Sequence, residues 1–254
     1  MKLYAIKTGT IKTNDDLVDI ILESLGKQNL QLKNGDILAL ASKIVAYAEG
    51  RLVKLEDVKP SEKAVKLAKR FSLKPEYAEL ILREADKIYG GVEKAVLTLK
   101  NGVLTANAGI DNKNAPENHA VLWPHNITEW TEKIRNEIKR RTGKKIAVMI
   151  VDSGLIPLRM GTVGLALAVA GFKPVKDCRG EKDIYGKSLI ITRHAVADDL
   201  ASAAHLLMGE ATETTPAVLI RGASVDFDDN VYGPADMKIP QNKCIFMGTF
   251  SKNG

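Results

Sequence analysis

The dipeptide Asn101-Gly102 is the strongest local constraint in this chain. It stands between the apolar run 95–100 (AVLTLK) and the run 103–106 (VLTA). Asn-Gly supplies the two positive-φ positions of a type I′ turn, so the stretch predicts a tight antiparallel hairpin. A regular strand-helix-strand alternation has no place for it. Around the hairpin the pattern is mixed. Asn14-Asp15-Asp16 ahead of Leu17, Ile20, Ile21 and Leu25, with Gly26 following, reads as a capped amphipathic helix. The run 36–41 is a short apolar strand, and Ile44-Val45-Ala46-Tyr47 continues it before Glu49-Gly50-Arg51 turns the chain. Two helices follow, one opening at Pro60-Ser61-Glu62 and one running from Pro75 through Ile88 to Gly90-Gly91. A charged helix spans 128–141, and 145–151 (KIAVMIV) is a buried strand ending at Asp152. Small-residue strands are expected at 161–171 and 189–192, then a helix at 195–208 and a strand at 217–220. Helices and hairpins are grouped rather than alternated, so the expected class is α+β, mixed sheets with helices. Residues 1–225 form one functional unit in this reading, and 226–254 a tail whose apolar run Cys244-Ile245-Phe246-Met247 is a closing strand.

Composition excludes several classes. The chain has 254 residues, enough for a large core without disulfide staples, and its two cysteines, Cys178 and Cys244, have no paired-ligand spacing. The 37 basic and 31 acidic residues leave +6, interleaved along most of the chain, while aromatics are only 5%. That is too few for a base-stacking platform, so no nucleic-acid partner is expected, whereas a mild basic excess suits anionic small molecules. No stretch reaches the ~20 apolar residues of a membrane span and no signal-peptide core opens the chain, so the expected setting is cytoplasmic, without membrane contact.

No nucleophile elbow, P-loop or dinucleotide fingerprint is present, and His119, His125, His194 and His205 fall in no ligand spacing. What remains are acids at element ends: Asp111 within NAGIDNKN, Asp152-Ser153 after a strand, and Glu210 after a helix. Convergent carboxylates can hold a hard cation against a nucleotide's phosphates. Acids at such positions also simply cap turns and helices, and the spacing leaves both readings open.

Several longer words carry more information. Residues 107–114 (NAGIDNKN), 180–186 (GEKDIYG), 195–200 (AVADDL), 206–210 (LLMGE) and 216–222 (PAVLIRG), with Ala41-Ser42-Lys43 and 48–51 (AEGR), resemble in content and order the coenzyme F420-0:γ-glutamyl ligase family. The likeness covers about residues 10 to 225. It implies a GTP- and divalent-metal-dependent enzyme that joins L-glutamate to a deazaflavin phospholactate as an amide, through an acyl phosphate. It further implies an intertwined homodimer with the nucleotide near the subunit boundary.

Carried over position by position, the resemblance places Mg²⁺ or Mn²⁺ on Asp111, Asp152, Ser153 and Glu210. Nucleotide contacts fall on Gly9, Thr10, Ile11, Lys12, Ser42, Lys43 and Asn114, and on Met208, Gly209, Glu210, Ala211, Thr212, Glu213, Thr214 and Thr215. Lys43 and Arg159 are the candidates for stabilising the transferred charge. The chain departs from the family pattern at Ser153-Gly154-Leu155-Ile156-Pro157, where a polar run is expected, and at Tyr47, where a lysine is expected. The loop after Glu210 lacks the expected glycines. These changes leave two alternatives: a ligase of the same fold with another acceptor, or a non-catalytic nucleotide-binding member.

Overall fold

Three apolar runs, ILALA at 37–41, AVMIV at 147–151 and AVLI at 217–220, lack the in/out alternation of a half-exposed strand, and each lies buried on both faces. The computed structural model describes residues 1–250. In chain order its elements begin with β1 (Lys2–Ile6), α1 (Leu17–Lys27), β2 (Ile37–Ala41), α2 (Ser42–Ala48), β3 (Leu52–Lys54), α3 (Glu62–Phe71) and α4 (Pro75–Glu84). Then come β4 (Lys87–Val92), β5 (Ala95–Lys100), β6 (Val103–Ala106), β7 (His119–Val121), α5 (Ile127–Thr142), β8 (Ala147–Leu155) and β9 (Thr162–Phe172). The rest are β10 (Lys176–Asp177), β11 (Arg193–His194), α6 (Val196–Met208), β12 (Ala217–Arg221), β13 (Phe227–Tyr232), α7 (Pro234–Met237) and α8 (Ile245–Phe250). The fold is α+β.

The central sheet has six strands in the order β1-β12-β2-β8-β9-β13. Its middle pair, β2 with β8, is parallel, with Ala41 opposite Val151, and every other pairing is antiparallel. Strand pleating divides the side chains between two cores. Leu38, Leu40, Val148, Ile150 and Leu219 pack with α1, α2 and α5 on one face. Ile37, Ala39, Met149, Val151, Val218 and Ile220 pack with α6 on the other. The buried Asp36 carboxylate is satisfied by the Arg221 guanidinium at 2.8 and 2.7 Å and by the Lys33 amide at 2.7 Å, which ties β12 to the entry of β2. A second lobe consists of the meander β4-β5-β6 with α3 and α4 around Tyr77, Leu80, Ile81 and Val96.

The Asn-Gly hairpin is present, with Asn101 and Gly102 at φ 52° and 84°. Four expectations are corrected. Residues 44–47 are helical, because parallel pairing stops at Ala41 and the chain turns into α2; an apolar run that short does not distinguish strand from buried helix. The helix from Pro75 ends at Glu84, and Ile88 lies instead on β4, paired antiparallel to β5. Residues 189–192 make no strand: Ile190 and Ile191 are exposed in an arm closed by β10, β11, the bridge Lys182–Ser188 and backbone hydrogen bonds of Leu189 with Gly180 and Glu181. The run from Cys244 belongs to a helix, Ile245–Phe250, with the Gly248 amide donating to the Cys244 carbonyl at 2.7 Å. Residues 227–232 are the outer strand of the central sheet, and no described helix is long and apolar enough to cross a membrane.

Gly164 sets the seating of α6. A Cβ there would lie 2.2 Å from the Ala201 carbonyl oxygen, so β9 and the helix touch backbone to backbone. Gly164→Ala is expected to destabilise by about 3 kcal/mol, because helix backbone has to move. Gly26→Ala, within α1 and facing open space, is expected to stabilise by about 0.5–1 kcal/mol. Denaturant titration of both variants checks the pair; similar midpoints would show that α6 is not held where Gly164 places it.

Candidate functional site

The parallel pair β2 and β8 ends at one edge of the sheet, so the residues after Ala41 and Val151 emerge side by side. Ser42-Lys43 opens α2 there, and Asp152-Ser153 lies on β8 just beyond the pairing. The loop 209–215 arrives at the same edge, because β12 runs antiparallel to β2 and the Ala41 amide donates to the Pro216 carbonyl at 2.8 Å. The 107–114 segment comes from the second lobe. Backbone hydrogen bonds in both directions between Asp111 and Val121, at 3.0 and 2.7 Å, hold it, and from the other side the buried Tyr77 hydroxyl donates to the Ile110 carbonyl at 2.6 Å. Burial, with the Asp111 charge adding to it, holds that phenol well above its ordinary range.

Two clefts open from this edge. The smaller, about 420 Å³, is lined by Gly9, Thr10, Ile11, Ser42, Lys43, Tyr47, Asn114, His205 and all of 208–215. Lys12 does not line it; its amide donates to the Asp15 carboxylate at 2.7 Å. The larger, about 690 Å³, lies against the second lobe and is lined by Lys74, Tyr77, Lys94, Lys113 and His119 among others. The two clefts have four lining residues in common: Asp111, Asp152, Ser153 and Glu210. Arg159 lies elsewhere, exposed in the turn between β8 and β9 and lining neither cleft.

At the junction each acid has partners. The Lys43 ammonium donates to Asp111 Oδ2 at 2.6 Å and to the Lys113 carbonyl at 3.0 Å, while the Lys113 amide donates to Asp111 Oδ1 at 2.8 Å. Asp152 accepts from the Trp123 indole N–H and, at 2.8 Å, from the Ser153 amide. Burial pushes its carboxyl up to about 6; the two hydrogen bonds and the Lys43 charge pull the other way without overcoming it. Glu210 Oε1 accepts from the Thr162 hydroxyl at 2.5 Å and lies 2.9 Å from His205 Nε2.

The donor set, three carboxylates and a serine hydroxyl, is the chemistry a hard divalent cation takes, and an ammonium already stands on Asp111 as a cation does. The close convergence of the three acids expected from sequence is not in place. Among the described residues no three His, Cys, Asp or Glu side chains stand close enough to hold an ion, because Glu210 is drawn toward Thr162 and His205. A metal at the junction therefore requires Glu210 to turn inward.

Sequence reading missed the roles of several residues at the site. Tyr47 donates from its hydroxyl to the Asn114 carbonyl at 3.1 Å, and Asn114 donates to the Ala211 carbonyl at 3.1 Å, clamping the loop after Glu210 across the smaller cleft. Within that loop the Ala211 amide is already taken by Glu213 at 2.8 Å. His205, one helical turn before the C-terminus of α6, carried a faint signal in its five-residue separation from Glu210; Trp123 carried none.

Asp152 gives a pH test whose sign is fixed. Its folded value of about 6 lies above the ordinary 3.8, so the folded state binds more protons across that interval and stability falls as pH rises through it. In chelator, Asp152→Asn is expected to unfold at higher denaturant than wild type at pH 7.5, by about 1–2 kcal/mol, with the gain vanishing below pH 4. A gain that persists unchanged at pH 3.5 would mean that charge burial is not its cause.

Residues 5–222 match the family model described as F420-0:Gamma-glutamyl ligase. The coenzyme F420:L-glutamate ligase of Methanothermobacter thermautotrophicus is 41% identical over 213 residues, covering 84% of each chain. The enzyme of that name from Methanopyrus kandleri is 37% identical over 86% of this chain and 85% of its own. The one from Methanosarcina barkeri is 34% identical over 94% and 95%. On the match to 5–222 and on these identities across most of its length, the chain belongs to the F420-0:gamma-glutamyl ligase family.

Proposed function

We propose that this chain is a GTP- and divalent-metal-dependent ligase that attaches L-glutamate to the phospholactate carboxylate of the deazaflavin coenzyme F420-0. One observation carries the reading: two clefts built from different parts of the fold meet at Asp111, Asp152, Ser153 and Glu210 and share no other residue. A reaction that passes a phosphoryl group from a nucleotide to a second substrate needs such a geometry, with each substrate in its own cleft and the reacting groups at the boundary. The nucleotide belongs in the smaller cleft, with its terminal phosphate toward Lys43. The anionic acceptor belongs in the larger one, beside Lys74, Lys94 and Lys113.

In this proposal the acceptor carboxylate attacks the γ-phosphorus, GDP leaves, and the glutamate amine displaces phosphate from the acyl carbon to form the amide. With Glu210 turned inward, the junction acids and the Ser153 hydroxyl would hold Mg²⁺ or Mn²⁺, which would neutralise the phosphate charge. Lys43 would steady charge on the transferred phosphoryl group, and Asn114 would fix the nucleotide loop by its bond to Ala211.

One observation favours the alternative of a different acceptor: Leu155, within the departed segment, lines the larger cleft. The end of that segment counts against it, since Ile156 and Pro157, like Leu158 beyond them, are exposed and line neither cleft. Incubation with GTP, Mn²⁺, L-glutamate and F420-0 is expected to yield glutamylated deazaflavin with one GDP and one phosphate per amide bond. Phosphate release with another carboxylate and none with F420-0 would establish the changed acceptor. GTP binding without turnover on any acceptor would establish a binding protein.

We also propose a homodimer. Leu158, Met160 and Ile184 are 105%, 104% and 92% exposed, on two segments that project from the central sheet. Apolar side chains held that far from their own core favour a second copy of the chain, with well over about 2,000 Å² buried in total. Light scattering at micromolar concentration is expected to give twice the chain mass, and a monomer would overturn this.

A further inference from the structure

The indole of Trp123 is buried in the main core, yet its N–H reaches the junction and donates to Asp152 Oδ2. Nothing about a core tryptophan requires that aim, and the surroundings fix it. Gly109, at φ +71°, faces the ring so closely that a Cβ there would lie 2.1 Å from Trp123 Cε2. The Lys100 ammonium stands 5.8 Å from the ring centroid. The Trp123 carbonyl accepts from Arg51 Nε at 3.0 Å. Just downstream, the His125 amide donates to the Glu49 carboxylate at 2.6 Å.

Arg51 and Lys100 are themselves held by one half-buried acid. Arg51 donates to both Glu84 oxygens at 2.9 Å, and Lys100 also donates to Glu84. The ring's electron-rich face meets the Lys100 ammonium and its electropositive N–H edge meets the Asp152 carboxylate. Asp152 thus has one oxygen fixed by Trp123 and the other by the Ser153 amide, so its carboxylate is restricted in rotation about both side-chain bonds.

We infer that Trp123 is a positioning residue for the reaction: the Gly109 slot and the Arg51–Glu84–Lys100 cluster hold its indole N–H so that it orients the Asp152 carboxylate at the boundary of the two clefts. This rests on the cation-dependent ligase reading. An outer-shell hydrogen bond to a metal-binding carboxylate commonly changes metal affinity or activity by about 10- to 100-fold.

The test removes the donor and keeps the ring. Trp123 is replaced by benzothienylalanine, which has sulfur in place of the N–H, with Trp123→Phe as a second variant and Asp152→Asn as reference. Each full-length chain is titrated with Mn²⁺ alone by calorimetry, melted, and assayed for ligation. The expected result is Mn²⁺ affinity about tenfold weaker and kcat about tenfold lower in the benzothienylalanine protein, with its melting temperature and its KM for GTP near wild type. Wild-type Mn²⁺ affinity and kcat in that protein, whether or not it melts earlier, would overturn the inference and leave Trp123 a packing residue. Weakened Mn²⁺ binding in a chain that ligates no acceptor would support the inference while removing the ligase reading. A wild-type chain that binds no Mn²⁺ would remove the cation reading and the inference with it.

Discussion

Everything at the junction depends on the parallel pairing of β2 with β8. Had these strands run antiparallel, Ser42-Lys43 and Asp152-Ser153 would leave opposite edges of the sheet, separated by the length of a strand. Parallel register with Ala41 opposite Val151 brings the ends out together. The neighbouring β12, antiparallel to β2, must then enter where β2 leaves, which delivers the loop 209–215 to the same edge. This is the general logic by which parallel strands gather functional loops at their carboxyl ends, used here by a sheet whose other neighbours are all antiparallel.

The strand pairing itself is secured far from that edge. Both faces of β2, β8 and β12 are apolar, so a slip of one residue would exchange the two cores, each of which is already filled by its own helices. Gly164 lets α6 close on one side, and the buried ion pair of Asp36 with Arg221 fixes the opposite end of β2 against β12. Asp36 is tolerable in the interior because guanidinium and amide donors satisfy it. Asp152 is treated differently: half-buried at the boundary of the clefts, it has an indole and one amide for donors, and its raised pKa is the residue of that incomplete compensation. A carboxylate kept short of partners is a poor structural element.

Which parts of this were legible in the sequence follows from what each signal reports. The Asn101-Gly102 hairpin, the capped helix after Asp16 and the long charged helix α5 are local devices, and local chemistry announces them. The candidate acids were legible as words, and the structure brings them to one junction; Arg159, from the same kind of reading, stands in an exposed turn away from it. Short apolar runs failed where their state was decided by a distant partner. Residues 44–47 are helical because β2 leaves its pairing with β8 at Ala41, and Ile88 is extended because β5 offers it a neighbour. The orientation of Glu210 could not be read at all, since it depends on Thr162 from β9 and His205 from α6, which approach only in the folded chain.

The junction also spans two lobes. Asp152, Ser153 and Glu210 belong to the central sheet and its loops, whereas Asp111 is carried by the second lobe, and Lys43 bridges them by its bond to Asp111. A Lys–Asp pair this exposed contributes little to stability on its own, so the docking of the lobes has to be enforced elsewhere. The enforcing contacts are better shielded: Arg51 beside β3, Glu84 at the end of α4 and Lys100 at the end of β5 close a cluster around Trp123. Tyr77 from α4 meanwhile holds the residue next to Asp111. Glu84 is therefore a tie between lobes, and the tryptophan it helps to hold connects that tie to Asp152. The same contacts that join the lobes fix how far Asp111 stands from Asp152, which makes lobe packing and the geometry of the junction one physical quantity.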